Sequence, residues 1–241
     1  RLQGDWSSDV CSSDLVMLAA DLSALRQRGI SHVALEASSH GLDQFRLDGL
    51  TFKAAGFTYL GRDHLDYHVT TEQYFNAKSQ LFSRLLPRGG TAVLNADVPE
   101  LPALMALCVA RGQTRITYGR TGQDLRLLNV QPEPDGLQLE VEVFGRRQAA
   151  RVPLTGAFQA GNVLCALGLV IGAGASPEEV VAHLSALRGV RGRMELVART
   201  VHGAGVYVDY AHTPDALETV LTALRPHTRG KLYVVFGCGG N

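Results

Sequence analysis

The chain has 241 residues, with 23 basic and 23 acidic side chains and a formal charge of zero, so it lacks the basic footprint that nucleic acids and anionic membranes require. Hydrophobic residues make up 46% and charged residues 19%, the proportions of a compact protein with a sizeable core whose expected partner is a nucleotide or small molecule. The cysteines (Cys11, Cys108, Cys165, Cys238) form no CxxC pair, and no apolar run approaches the roughly 18 residues of a membrane span or reads as a secretory signal, so a reducing, cytoplasmic location is expected.

Residues 1–15 (RLQGDWSSDVCSSDL) carry neither helical nor strand periodicity and read as a foreign segment, the alternative being an ordinary polar tail. A helical pattern follows over 16–28, with Gly29 as its stop. Residues 32–36 (HVALE) read as a buried strand, 38–41 as a turn, and 52–59 as a second strand. An amphipathic helix is expected over 71–86, with Thr71 as its N-cap and Pro87 as its terminator. A strand at 91–94 and a helix at 102–110 complete an alternation that argues for a mostly parallel sheet covered by helices.

The texture changes near Thr114. Residues 116–118, 125–130, 137–144 and 149–152 read as strands of a smaller antiparallel sheet, the third with clean alternation at Leu137, Leu139, Val141 and Val143. Helices are expected over 158–171 and 177–187, and 191–193 is a candidate linker. Beyond it lie an expected strand (205–209), helix (214–224) and strand (231–236) that runs into the glycine turn GCGGN. The division this suggests is 1–15 foreign, 16–190 one domain and 191–241 the beginning of a second, Rossmann-like domain.

Three segments concentrate reactive side chains. Glu36 sits at the carboxyl end of the expected strand, where ligands of open α/β sheets bind, although local backbone donors could equally satisfy it. Residues 62–68 (RDHLDYH) pack two histidines, two carboxylates and an arginine into one loop, as either a site or a polar surface. Only three lysines (Lys53, Lys78, Lys231) stand against twenty arginines, and helical spacing puts Lys78 on the apolar stripe of Tyr74, Leu81, Phe82 and Leu85. A lysine held there is either depressed in pKa and chemically modifiable, or snorkels with its ammonium in water. Asp209 ends a strand before YAHTPD and suits a ribose hydroxyl or a turn cap.

In order, residues 36–44 (EASSHGLDQ), 62–68 with 74–78 (YFNAK), 193–195 (RME), 209–215 (DYAHTPD) and 236–241 (FGCGGN) resemble the Mur ligases, within them the branch that adds the third amino acid of the peptidoglycan stem peptide. The resemblance runs from about residue 16 to the end and implies an ATPase-type α/β domain followed by the start of a C-terminal ligase domain. It implies ATP and Mg²⁺ as cofactors, and as partners a UDP-muramoyl dipeptide and a diamino acid or other amino acid, in a monomer. Glu36, His64 and a carbamylated Lys78 match the family's metal ligands. Ser38, Gln44 and Arg46 match contacts to the UDP-muramoyl dipeptide. Asn162, Arg193 and Asp209 match contacts to adenine, phosphate and ribose. The implied chemistry is activation of the substrate carboxylate as an acyl phosphate, then attack by the incoming amine.

There are departures. No GxxxxGK[ST] phosphate loop occurs, Tyr59 stands where the family has Asn, and Gln159 replaces an Asn near the adenine position. The polypeptide by itself is therefore expected to be inactive. Two other readings compete: a nucleotide-binding remnant without turnover, and a dinucleotide-binding oxidoreductase resting on the strand and glycine turn of 231–241.

Overall fold

The computed structural model describes residues 15–61, 68–212 and 214–237. The chain divides into two compact units, one of Arg1–Ala55, Tyr59–Ala92 and Pro99–Arg115, the other of Gly56–Thr58, Val93–Val98 and Ile116–Asn241.

The first unit is mainly helical: α1 (Leu15–Gln27), α2 (Ser39–Asp43), α3 (Thr71–Gln80) and α4 (Leu101–Ala110). The expected cap of α3 moves by one residue. Thr70, in extended backbone, accepts from the Gln73 amide at 3.1 Å, and Thr71 is already helical. The single helix expected to Leu86 is also modified, because its last turn, Leu81–Leu85, is π-helical and the Leu86 amide reaches back to the Leu81 carbonyl at 2.9 Å. That widened turn leaves carbonyls unmatched. The buried side-chain amide of Gln113 donates to two of them, Phe82 at 2.7 Å and Leu86 at 2.8 Å. Leu18, Leu42, Leu47 and Leu85 form this unit's small apolar cluster.

Six strands form one sheet in the order β1 (Ala54–Phe57), β2 (Thr91–Asn95), β3 (Thr114–Gly119), β4 (Leu125–Glu133), β5 (Gly136–Val143), β6 (Arg146–Val152). β3 and β4 are parallel, whereas β4–β5 and β5–β6 are antiparallel hairpins. Of the four strands expected to form a separate antiparallel sheet, the first (β3) instead pairs parallel with β4, and the other three continue the same six-stranded sheet as antiparallel hairpins. Alternation at Leu137, Leu139, Val141 and Val143 puts all four side chains into the second unit's core.

Helix α5 (Gln159–Gly172) covers that core with Ala160, Val163, Leu164 and Leu167. Its close approach depends on Gly168, where a Cβ would stand 2.6 Å from Val93 and 3.1 Å from Leu125. Helix α6 (Pro177–Ala182) is followed by a 3₁₀ turn at Leu184–Ala186. A two-stranded antiparallel sheet then pairs β7 (Glu195–Arg199), which the sequence reading missed, with β8 (Gly205–Val208). Helix α7 (Pro214–Leu224) and a 3₁₀ turn (Arg225–His227) follow.

Two expected strands are not found. Residues 32–36 and 231–236 belong to no ladder, and Val235 is 100% exposed. Apolar patterning offers a face for burial, but a strand exists only where a neighbour completes its hydrogen bonds. The strand that supported the oxidoreductase reading is therefore absent among the described residues, and its GCGGN turn lies largely outside them.

The ends of β2 and β3 are tied by Asp97, whose carboxylate accepts from the amides of Arg120 (2.7 Å) and Thr121 (2.8 Å) and from the Thr121 hydroxyl (2.7 Å). Burial pulls the Asp97 pKa up, but these donors and the Arg120 charge outweigh it and hold the carboxyl below its ordinary 3.8. A carboxyl depressed in the folded state stabilises it above the unfolded pKa, and that contribution is lost as pH falls through the folded value. Asp97→Asn is expected to flatten the decline of Tm with acidification below about pH 3.8. Parallel Tm–pH curves for both proteins in that range would refute this.

Candidate active site

Helix α3 presents Lys78 from a wall of buried side chains. Tyr74, one turn earlier, is 4% exposed, and Ala77 and Phe82 are also buried. The Lys78 Nζ lies over the Tyr74 ring, 5.1 Å from its centroid. His68 stacks on Tyr74 with ring centroids 5.3 Å apart and stands 5.7 Å from the His40 ring. Burial pushes the Lys78 pKa below its ordinary 10.5, while the Glu36 carboxylate, near enough to act on it, pulls it back up. The Lys78 side chain is half-buried, and burial disfavours its charged form.

Glu36 thus acts electrostatically on Lys78 although the two lie 42 positions apart in the sequence. His64 and the rest of 62–67 lie outside the described residues. Among the described residues no group of three or more His, Cys, Asp or Glu side chains is placed to hold a metal ion. Glu36 offers one carboxylate, and an unmodified lysine offers no oxygen.

Ser38, Gln44 and Arg46 surround the short helix α2. Ser38 caps it, its hydroxyl accepting from the Gly41 amide at 3.1 Å. Gln44 is the C-cap, its amide bonded to the His40 carbonyl at 2.8 Å, and the Arg46 amide reaches the Gly41 carbonyl at 2.8 Å. Between them Phe45 takes a left-handed backbone with φ 59°. The sequence reading missed Arg84, which contacts this turn from the lysine helix. No periodicity signals such a pairing, because it joins residues 36 positions apart.

The nucleotide-contact candidates lie in the second unit. The Asn162 side-chain amide donates to Gln159 Oε1 at 3.0 Å. The Arg193 guanidinium lies 5.4 Å from the centre of the Tyr210 ring. Asp209 accepts from the Met194 amide with one oxygen and from the Ala211 amide with the other, both at 2.8 Å. These bonds give Asp209 the turn-tying role that the sequence offered beside a ribose contact. Met194, whose amide donates to Asp209, takes a left-handed backbone with φ 48°.

Comparison with known proteins decides the lineage. Residues 7–170 match the Mur ligase middle domain, and residues 192–241 match the Mur ligase glutamate ligase domain. The chain belongs to the Mur ligase family. It is 51% identical over 224 residues to the UDP-N-acetylmuramoyl-L-alanyl-D-glutamate–2,6-diaminopimelate ligase of Caulobacter vibrioides, covering 93% of this chain and 46% of that protein. A solved structure of a ligase of the same name superposes with a TM-score of 0.79 at 33% identity, covering 95% of this chain and 47% of that one. A MurF ligase from Thermotoga maritima in complex with ADP shares the fold, with a TM-score of 0.61 at 20% identity, covering 72% of this chain and 39% of that one. This Mur ligase chain therefore spans about half the length of the curated relatives it matches. No described helix is long and apolar enough to cross a membrane.

Proposed function

We propose that this chain forms the central part of an ATP-dependent ligase that joins 2,6-diaminopimelate to UDP-N-acetylmuramoyl-L-alanyl-D-glutamate. The observation that carries the reading is a half-buried Lys78 held over the Tyr74 ring on α3, within electrostatic reach of Glu36. The diaminopimelate ligases that match at 46–51% identity supply the substrate class.

The donor set suits magnesium once Lys78 is carbamylated. Glu36 and the lysine carbamate then provide two carboxylates, the number of protein oxygens this ion commonly takes beside phosphates and water. His64 is the third family ligand. Bound there, the ion would neutralise phosphate charge as the substrate carboxylate is activated. The chain's own residues have positional tasks. Burial keeps a fraction of Lys78 as the free amine that can capture carbon dioxide. Ser38, Gln44 and Arg46 orient the UDP-muramoyl dipeptide. Asn162, Arg193 and Asp209 receive adenine, phosphate and ribose.

The test is a ligation assay on the complete gene product with ATP, magnesium, UDP-muramoyl dipeptide and either diaminopimelate or lysine. The expected result is ADP release coupled to tripeptide formation with diaminopimelate preferred by about 10²-fold or more, the scale a site built for a polar group achieves. Absence of product with either amine would sink the ligase reading. Preference for lysine would overturn only the choice of amine.

A further inference from the structure

Arg84 makes three contacts with one short stretch of chain. Its Nη1 meets both carboxylate oxygens of Asp48, at 2.8 and 3.0 Å. Its Nη2 donates to the Leu42 carbonyl at 2.9 Å. The guanidinium lies over the Phe45 ring, its central carbon 4.4 Å from the centroid. Leu42 lies near the end of α2, Phe45 and Asp48 in the turn that follows it, and Arg84 belongs to the π-helical turn that continues α3.

The geometry of that turn is costly on its own terms. Phe45 has φ 59°, a conformation that a bulky side chain seldom adopts without support from its surroundings. Its ring is 55% exposed, so burial in a core does not hold it. What holds it is the Arg84 guanidinium on its face, together with the backbone bonds from Phe45 to Leu42 and from Asp48 to Phe45. The backbone direction at Phe45 in turn fixes how its neighbours Gln44 and Arg46 leave the chain.

We propose that Arg84 is the positioning residue of the Gln44–Arg46 segment, coupling the substrate-contact turn to the helix that carries Lys78. It touches neither substrate nor metal; it holds the left-handed turn through Phe45, Leu42 and Asp48. A lysine cannot substitute, since one ammonium cannot stack on the ring while forking to a carboxylate and a carbonyl. The proposal rests on the reading that Gln44 and Arg46 meet the UDP-muramoyl dipeptide.

The experiment is steady-state kinetics on the complete gene product, comparing wild type with Arg84→Met, Arg84→Lys and Arg46→Ala. For both Arg84 variants the KM for UDP-muramoyl dipeptide should rise roughly 10- to 50-fold, while kcat and the KM for ATP stay within about twofold, the pattern of lost substrate positioning. A merely structural role would lower kcat and both apparent affinities together, and that outcome would overturn the proposal. An unchanged dipeptide KM in Arg84→Met beside a raised one in Arg46→Ala would overturn it while leaving the substrate reading intact. An unchanged KM in Arg46→Ala would remove the substrate reading and the clamp with it. If Arg84→Met does not fold, Asp48→Asn weakens one of the three contacts and should move the dipeptide KM the same way by a smaller factor; no movement there counts against the clamp.

Discussion

Lys78→Met should reduce ATP-dependent ligation by the complete gene product by roughly 10³-fold, the size of effect that follows when a metal-holding group worth several kcal/mol is lost. Lys78→Arg should fail equally, although it keeps the positive charge, because a guanidinium is never free to take up carbon dioxide. In the expected modification the ammonium first loses a proton; the neutral Nζ then attacks carbon dioxide, one N–C bond forms as a C=O π bond opens to the carboxylate, and a second proton leaves the nitrogen, so that overall a cation becomes an anion that can bind magnesium. The environment prepares this. Burial beside Tyr74 lowers the Lys78 pKa, while the Glu36 carboxylate opposes the shift without cancelling it. Labelled bicarbonate provides a direct reading: wild type should show one ¹³C carbamate resonance that Lys78→Met lacks. A variant that keeps full ligation would remove Lys78 from the machinery. Full activity loss with no carbamate signal in wild type would leave an essential lysine but discard its modification.

Gln113→Leu should destabilise the chain by roughly 2–4 kcal/mol, since each carbonyl stripped of its donor costs about 1–3 kcal/mol when buried. The residue is 2% exposed, and its side-chain NH₂ is the donor to both Phe82 and Leu86. These carbonyls lie in and just after the π-helical turn, where the register that would have satisfied them is shifted. Leucine is close in size, so the substitution isolates the polar contribution from the packing. Because the Gln113 Oε1 has no partner of its own, the change also removes one buried unsatisfied oxygen, and the lower half of the range is the closer expectation. A fall in Tm checks the prediction, and an unchanged melting curve would show the π turn to be held by packing alone. Since this turn continues the Lys78 helix, the carbamate resonance should also weaken in Gln113→Leu.

Several elements, and the residues of the candidate site, were readable as candidates from residue order. Helices α3, α4, α5 and α7 follow from apolar spacing and from Pro or Gly punctuation, and the β5 alternation correctly gives its buried face. Lys78 stood out because a lysine on an apolar stripe is a local anomaly that the 3.6-residue period exposes by itself. The strands expected at 32–36 and 231–236 failed for a complementary reason. Their patterning was real, but pairing is a property of two segments, and no described neighbour completes their ladders. β7 was missed because its residues are mostly exposed and carry no burial pattern to read.

By itself the sequence determined the family, the chemical identity of the candidate ligands and the helix that carries Lys78, because each is set by residue type and short-range spacing. Only the tertiary structure decided which of these groups meet. It brought Glu36 within electrostatic reach of Lys78, laid the Lys78 nitrogen over Tyr74, engaged both oxygens of Asp209 with backbone amides, and set Arg84 on the left-handed turn at Phe45. Electrostatic influence and hydrogen bonds between segments act through distance in space, which residue order does not encode until the chain has folded.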